Sequence, residues 1–227
     1  YLLEKVLRYY VKQVDILITE GTMLGRKNEV VLLEADIEKN VAEALRKSKY
    51  VYALCSSTDI DRIRALHNAC KVTRRTFVCD SYQYSVLDIF NKYILSERYK
   101  FNRVFKLINY KTKNVYQKLS HTGFLVMVRP SSYSRIKRMM CTYNDQPSAL
   151  IYSMWQGYHN GTQEQINKDI VKIRQLFGGN IYDGTRDGFH TSGHASVETL
   201  QMVCRCVKPR LGIVSIHKED NTSFKNL

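Results

Sequence analysis

YVYALCSSTDIDRIRALHNACKVTRRTFVCD, residues 50–80, reads in three strokes. Its first six residues, YVYALC (50–55), are a short continuous apolar run, the pattern of a strand covered on both faces. SSTDIDR breaks that run with residues suited to a turn, and Ser57 or Thr58 can cap a helix there. Ile60, Ile63, Leu66 and Cys70 then recur at helical spacing, and TFVCD (76–80) returns to strand character. A strand, a helix and a strand in that order make a parallel βαβ unit.

The alternation extends both ways. Upstream, Leu3, Val6, Leu7 and Tyr10 share a helical face, DILIT (15–19) reads as a doubly covered strand, and EGTMLGRKN (20–28) as a loop. Ile37, Val41, Ala44 and Leu45 then mark a helix over 33–47. Downstream, YSVLDIFNKYI (84–94) predicts a helix, GFLVMVRP (123–130) and SALIYSM (148–154) strands, and 164–177 a helix. A further helix over 197–207 stops at Lys208-Pro209, and LGIVSIH (211–217) closes the series as a strand. The fold class expected is therefore α/β, built on parallel strands.

Composition narrows the setting. With 44% hydrophobic and 25% charged residues and three prolines, the 227-residue chain is expected to fold throughout, as one large domain or two small ones. Thirty-five Lys and Arg against 21 Asp and Glu give a net charge of +14, which favours polyanionic partners. No run reaches the roughly 20 apolar residues of a membrane span, and YLLEKVLRYYVKQVD lacks the layout of a signal peptide, so a cytoplasmic location is expected. The six cysteines form no CxxC pair and are read as reduced, mostly buried thiols. The stretch 96–120 interleaves Arg98, Lys100, Arg103, Lys106, Lys111, Lys113 and Lys118 with Tyr99, Phe101, Phe105, Tyr110 and Tyr116. Helices are expected there, with the rings packed inward under a solvated basic face or exposed to single-stranded nucleic acid.

In a parallel sheet the polar residues that follow strand carboxyl ends collect along one edge, where ligands bind. Glu20, the SSTDIDR turn, His190, His194 and His217 sit at such junctions. In FHTSGHAS (189–196) the residues Ser192, Gly193 and Ser196 surround His194 at the start of a helix, an arrangement that suits an anion held beside a proton donor. The same residues serve equally as a cap, a tight turn and a surface imidazole. His217 suits a metal or an ordinary strand end, and Glu20 suits a turn or the orientation of an imidazole. Ser56, Ser57 and Arg62 either form a second anion nest or leave Arg62 as a solvated charge.

Taken in order, DILITEGT with the following GR, SSTDIDR with RTFVCDSYQ, VMVRPS, IYSMWQGY, SGHAS and VKPRLGIVSIH resemble the β-CASP branch of the metallo-β-lactamase superfamily, which includes RNase J and mRNA 3′-end processing nucleases. The resemblance covers almost the whole chain. It implies that Glu20 matches the motif A acid, His194 the motif B histidine and His217 the motif C histidine, the last a metal ligand; His190 matches no role and is kept as structural. It implies a metallo-β-lactamase αββα fold carrying motif A over 1–28, an inserted β-CASP domain over 29–186, and a return to the first fold with motifs B and C over 187–227. Two zinc ions, and phosphodiester hydrolysis most often on RNA, are the implied chemistry.

The chain departs from this pattern by lacking HxHxDH, the family's principal metal motif, and the aspartate expected before the first helix. Lys218 also follows His217 where many ribonucleases have glycine. The expectation is a C-terminal portion that is inactive alone and completed by a missing N-terminal portion of the same protein. Single-stranded RNA and a second copy of the chain are the other expected partners. A non-catalytic nucleic-acid or partner-binding module, and a hydrolase of small substrates, are the alternatives.

Overall fold

The structure, a computed structural model, describes residues 2–11, 13–25, 32–109 and 111–217. In chain order, α1 (Leu2–Tyr10) leads into β1 (Ile16–Glu20) and a 3-10 turn (Thr22–Gly25). Then come α2 (Glu34–Lys47), β2 (Tyr50–Leu54), α3 (Ile60–Thr73), β3 (Thr76–Cys79), α4 (Ser81–Tyr93) and β4 (Phe105–Lys106). After α5 (Lys113–Thr122), β5 (Phe124–Val128), α6 (Tyr133–Thr142) and β6 (Ser148–Tyr152) follow short α7 (Gly157–Asn160), α8 (Lys168–Phe177) and β7 (Ile181–Asp183). Short α9 (Gly184–Asp187), α10 (Val197–Val207) and β8 (Gly212–His217) complete the chain. Two compact units result, residues 32–191 and the pair of segments 1–31 and 192–227.

The larger unit is a parallel sheet of order β4-β3-β5-β2-β6-β7. Its strands divide their side chains between two cores, because successive residues of a strand point to opposite faces. Val51, Ala53, Phe77, Leu125 and Ile151 face one core with α2 and α3; Tyr50, Tyr52, Val78, Phe124, Val126 and Leu150 face the other with α6 and α8. All five residues of β2 are 0% exposed, as the reading of YVYALC as a doubly covered strand requires.

The order of the strands follows from handedness. From β2 the chain steps toward the β4 edge through α3 and α4, whose Leu66 and Leu87 lie in the first core. It returns through α5, α6 and α8, whose Leu119, Ile136 and Ile173 lie in the second. Right-handed crossovers place their helices on opposite faces when the direction of travel reverses. Gly123 ends α5 just before the central strand β5 with φ +66°, and a Cβ there would lie 2.6 Å from the Lys49 carbonyl. Only glycine fits that approach.

Several boundaries differ from expectation for local reasons. Asp59, not Ser57 or Thr58, caps α3 by accepting the Arg62 N–H. Asp80 caps α4 through the Gln83 N–H, so that helix starts at Ser81. Asn167 accepts the Asp169 and Ile170 N–H groups, so α8 starts at Lys168 rather than at 164. The stretch 96–120 holds one α-helix, a 3-10 turn and the two residues of β4 among its described residues. Phe189 packs in the first core, and the larger unit accordingly runs on to Thr191, beyond the joint expected at 186/187. The joint expected at 28/29 lies outside the described residues.

The smaller unit pairs β1 with β8 in parallel. Its 3-10 turn buries Thr22, Met23 and Leu24, and α10 buries Leu200, Cys206 and Val207. DILIT is not doubly covered here: Ile16 and Ile18 are 52% and 62% exposed, with Val214 and Ile216 also open. All six thiols are free, with Cys55, Cys70, Cys79 and Cys206 buried and Cys141 exposed. Among the described residues no helix is long and apolar enough to cross a membrane.

Candidate functional site

Two paired strands end on functional side chains. The β1–β8 register runs Ile16↔Gly212 to Thr19↔Ser215, then slips so that Glu20 lies opposite His217. The slip is an irregularity of the kind that re-aims side chains at the rim of a sheet. The Gly21 N–H donates to the His217 carbonyl at 2.6 Å and ties the two strand ends together.

His194 arrives from the loop ahead of α10. Its Nδ1 lies 2.7 Å from Glu20 Oε2, while the Ala195 N–H donates to Glu20 Oε1 at 2.6 Å. The two imidazoles stack, with centroids 5.0 Å apart and an interplanar angle of 23°. One ligand-type atom from each of Glu20, His194 and His217 lies within 4.8 Å of the others. Partial burial works to raise the Glu20 carboxyl, but the Ala195 N–H, His194 and Thr22 together hold it below its ordinary value. It is therefore a carboxylate at neutral pH.

A carboxylate only accepts, so His194 Nδ1 carries the proton in its bond to Glu20. Thr22 Oγ1 lies 2.8 Å from His217 Nδ1, and the Thr22 hydroxyl also bonds the Glu20 carboxylate. The contact with His217 works in either direction, Thr22 donating to a bare Nδ1 or accepting from Nδ1–H. Thr22 is 2% exposed and stands two residues after Glu20, where nothing in the local sequence marks it as a partner of His217.

For a divalent metal this donor set is apt. Imidazole nitrogens are ordinary zinc ligands, and each ring has a partner at Nδ1, as ligating histidines usually have at the far nitrogen. Glu20 accepts one hydrogen bond at each oxygen, from Ala195 and from His194, which orients that ring and leaves a lone pair on both oxygens. A catalytic zinc takes three protein ligands and a structural one four. Glu20, His194 and His217 offer one ligand-type atom each, two of them from imidazoles.

The expected anion contacts fare unequally. Ser196 caps α10 by accepting the Thr199 N–H at 3.2 Å, and Ser192 Oγ accepts the His194 N–H at 3.3 Å. A Cβ on Gly193 would meet open space, so the loop backbone there is accessible. In the larger unit Ser56 is bonded to Thr58, and Ser57 offers its carbonyl to Gln83. Arg62 forms no anion nest and is no solvated charge: it is 1% exposed. Its guanidinium donates to both Glu34 oxygens, to Ser153 Oγ and to the Phe189 carbonyl.

The basic middle is also dispersed. Lys100 donates to the Asn91 carbonyl, Lys106 and Lys118 lie over the rings of Tyr84 and Phe105, and Arg98 approaches Asp61. Tyr110 lies outside the described residues. No known family model matches the chain, and no curated protein sequence matches it.

Proposed function

We propose that the chain is part of a zinc-dependent phosphodiesterase of the β-CASP branch of the metallo-β-lactamase superfamily, acting on single-stranded RNA. The meeting of Glu20, His194 and His217 at the ends of paired parallel strands carries this reading. Three residues that lie far apart in the sequence and match three ordered motifs converge on one point. In this reading the larger unit is the β-CASP domain and the smaller one is the returning part of the metallo-β-lactamase fold.

Bound zinc would polarise a phosphoryl oxygen and lower the pKa of a water. His217 Nε2 would hold one ion. Glu20 keeps the His194 ring in one tautomer, so that Nε2 can hold or deliver a proton at the departing oxygen. The start of α10 offers backbone N–H groups to a phosphate oxygen. Removing the Glu20 charge would free the His194 ring to turn and scramble its tautomer.

The lack of HxHxDH in the sequence supports a second reading, a nucleic-acid-binding module without catalysis. Zinc titration of the 227-residue chain and an RNA cleavage assay separate the two. The first reading expects weak zinc binding that His217→Ala abolishes, with no cleavage until the HxHxDH-bearing portion is supplied and none then with His194→Ala. Cleavage that survives His194→Ala would sink it. An HxHxDH-bearing portion that restores zinc binding without cleavage would favour the module.

A further inference from the structure

Opposite the carboxyl ends of its strands, the larger unit has an open cleft of about 550 Å³ at the amino-terminal corner of the sheet, where β3 and β4 begin. Lys71, Arg74, Arg103 and Lys118 line it, all exposed. Among the described residues none of the four has a carboxylate within ion-pair distance, whereas Lys49, Arg62, Arg129, Arg135, Arg174 and Arg210 all do. Arg75 also lines the cleft but spends its guanidinium on the Leu45 and Thr122 carbonyls.

Two of the four cations sit on unfavourable backbone. Arg74 has φ 57° and Arg103 φ 61°, the left-handed region in which glycine or asparagine is cheaper. Three non-glycine residues among those described adopt positive φ, and two of them bring a guanidinium to this cleft. Fold alone would be better served there by asparagine. The Arg103 loop is also anchored, because the 2% exposed His67 lies 2.7 Å through Nε2 from the Asn102 carbonyl and packs edge-on against Phe77. Strand β4 pairs with β3 only from Val78, so the strand edge before it stays open to the cleft.

We infer that this corner is a second anion site, built for consecutive phosphate groups. Four cations without a carboxylate partner around an open cleft need more than one negative charge to balance them, and an open mouth admits a chain that continues past it. A run of phosphates meets both demands, whether from a nucleic-acid backbone or from a free polyphosphate. The site does not depend on the chemistry at Glu20, His194 and His217.

The test uses the whole chain with two probes, inorganic tripolyphosphate and a short labelled oligouridylate, against Arg74→Asn/Arg103→Asn. Asparagine keeps the left-handed backbone and removes both charges. Dissociation constants should rise about tenfold, and the salt dependence of oligouridylate binding should fall by about 1.4 in log–log slope, some 0.7 per lost contact. The melting temperature should stay level or rise, which a merely structural pair of arginines would not permit. Hydrogen exchange should show probe-dependent protection around residues 102–105. Binding of oligouridylate alone assigns the site to nucleic acid, and of tripolyphosphate alone to free polyphosphate. Should the double variant unfold, Lys71→Gln/Lys118→Gln replaces it with the same expected loss. Unchanged binding of both probes, or no protection at 102–105, overturns the inference.

Discussion

Arg62 and His190 share one interior corner, and only one of them carries charge. Arg62, a permanent cation, donates to both Glu34 oxygens. His190 Nδ1 lies 3.4 Å from Arg62 Nη1 and can only accept. Burial first, and then the neighbouring guanidinium, push the His190 imidazole down to about 4. The unfolded chain therefore takes up a proton near pH 6.5 that the folded chain refuses until about pH 4. Stability is whole above pH 6.5 and falls as the pH drops through that window, by at most on the order of 3 kcal/mol. Urea midpoints at pH 7.5 and 5 should differ less in His190→Gln than in the parent. Burial lowers His67 too, so part of the slope should remain. An unchanged slope would refute the assignment to His190. Nothing in SSTDIDR announces this corner, because the carboxylate that claims Arg62 lies 28 residues upstream and the carbonyl 127 residues downstream. The triad of Glu20, His194 and His217 was legible only as three junction residues matching ordered motifs; the bonds among them come from strand register, which the sequence does not state.

At the scale of elements, Asp80 joins strand β3 to helix α4 and to the β5–α6 connection. One carboxylate oxygen accepts the Gln83 N–H at 2.9 Å, and the other pairs with Arg129 and Arg135. Burial works to raise this carboxyl, yet the Gln83 N–H and the two arginines hold it below its usual range. Its contribution is present above the unfolded carboxylate value and is lost as pH falls through the lower folded one. Asp80→Asn keeps a cap but loses the charge and should cost about 1–2 kcal/mol, since both arginines are about one-third exposed. Asp80→Ala should cost about 1 kcal/mol more by stripping the cap. Equal denaturant midpoints for the two variants would show that the cap contributes nothing. Strands with two buried faces were readable because YVYALC and FLVMV leave no polar alternative. Helix α6 and strand β7 were not read. Helix α6 commits only Ile136 and Met139 to the core amid basic residues, and β7 is three residues at the sheet edge. Cap chemistry moved the starts of α4 and α8, which apolar spacing alone cannot locate.

Across the whole molecule the two units differ in how completely their strands are covered. β2 and β5 are buried along their full lengths between two helical layers. β1 and β8 form a sheet of two strands, too few for independent stability, with Ile16, Ile18, Val214 and Ile216 open on it. Leaving these four side chains half to three-quarters exposed forgoes a matching share of the roughly 1.5–3 kcal/mol apiece that full burial gives. On the reading proposed above, the HxHxDH-bearing portion supplies further strands that cover this face and complete the ligand set at the same carboxyl edge. Local opening should then be cheap in the isolated chain. Native-state hydrogen exchange should find β2 and β5 amides opening only with global unfolding and β1 and β8 amides opening at a small fraction of that free energy. Supplying the missing portion should bring the β1 and β8 amides up toward the global value, while His217→Ala should leave that gain largely intact, because covering the sheet and holding the metal are separate tasks. Protection of β1 and β8 equal to that of β2 in the isolated chain would show that the smaller unit is already complete, and would remove the physical reason for expecting a covering partner.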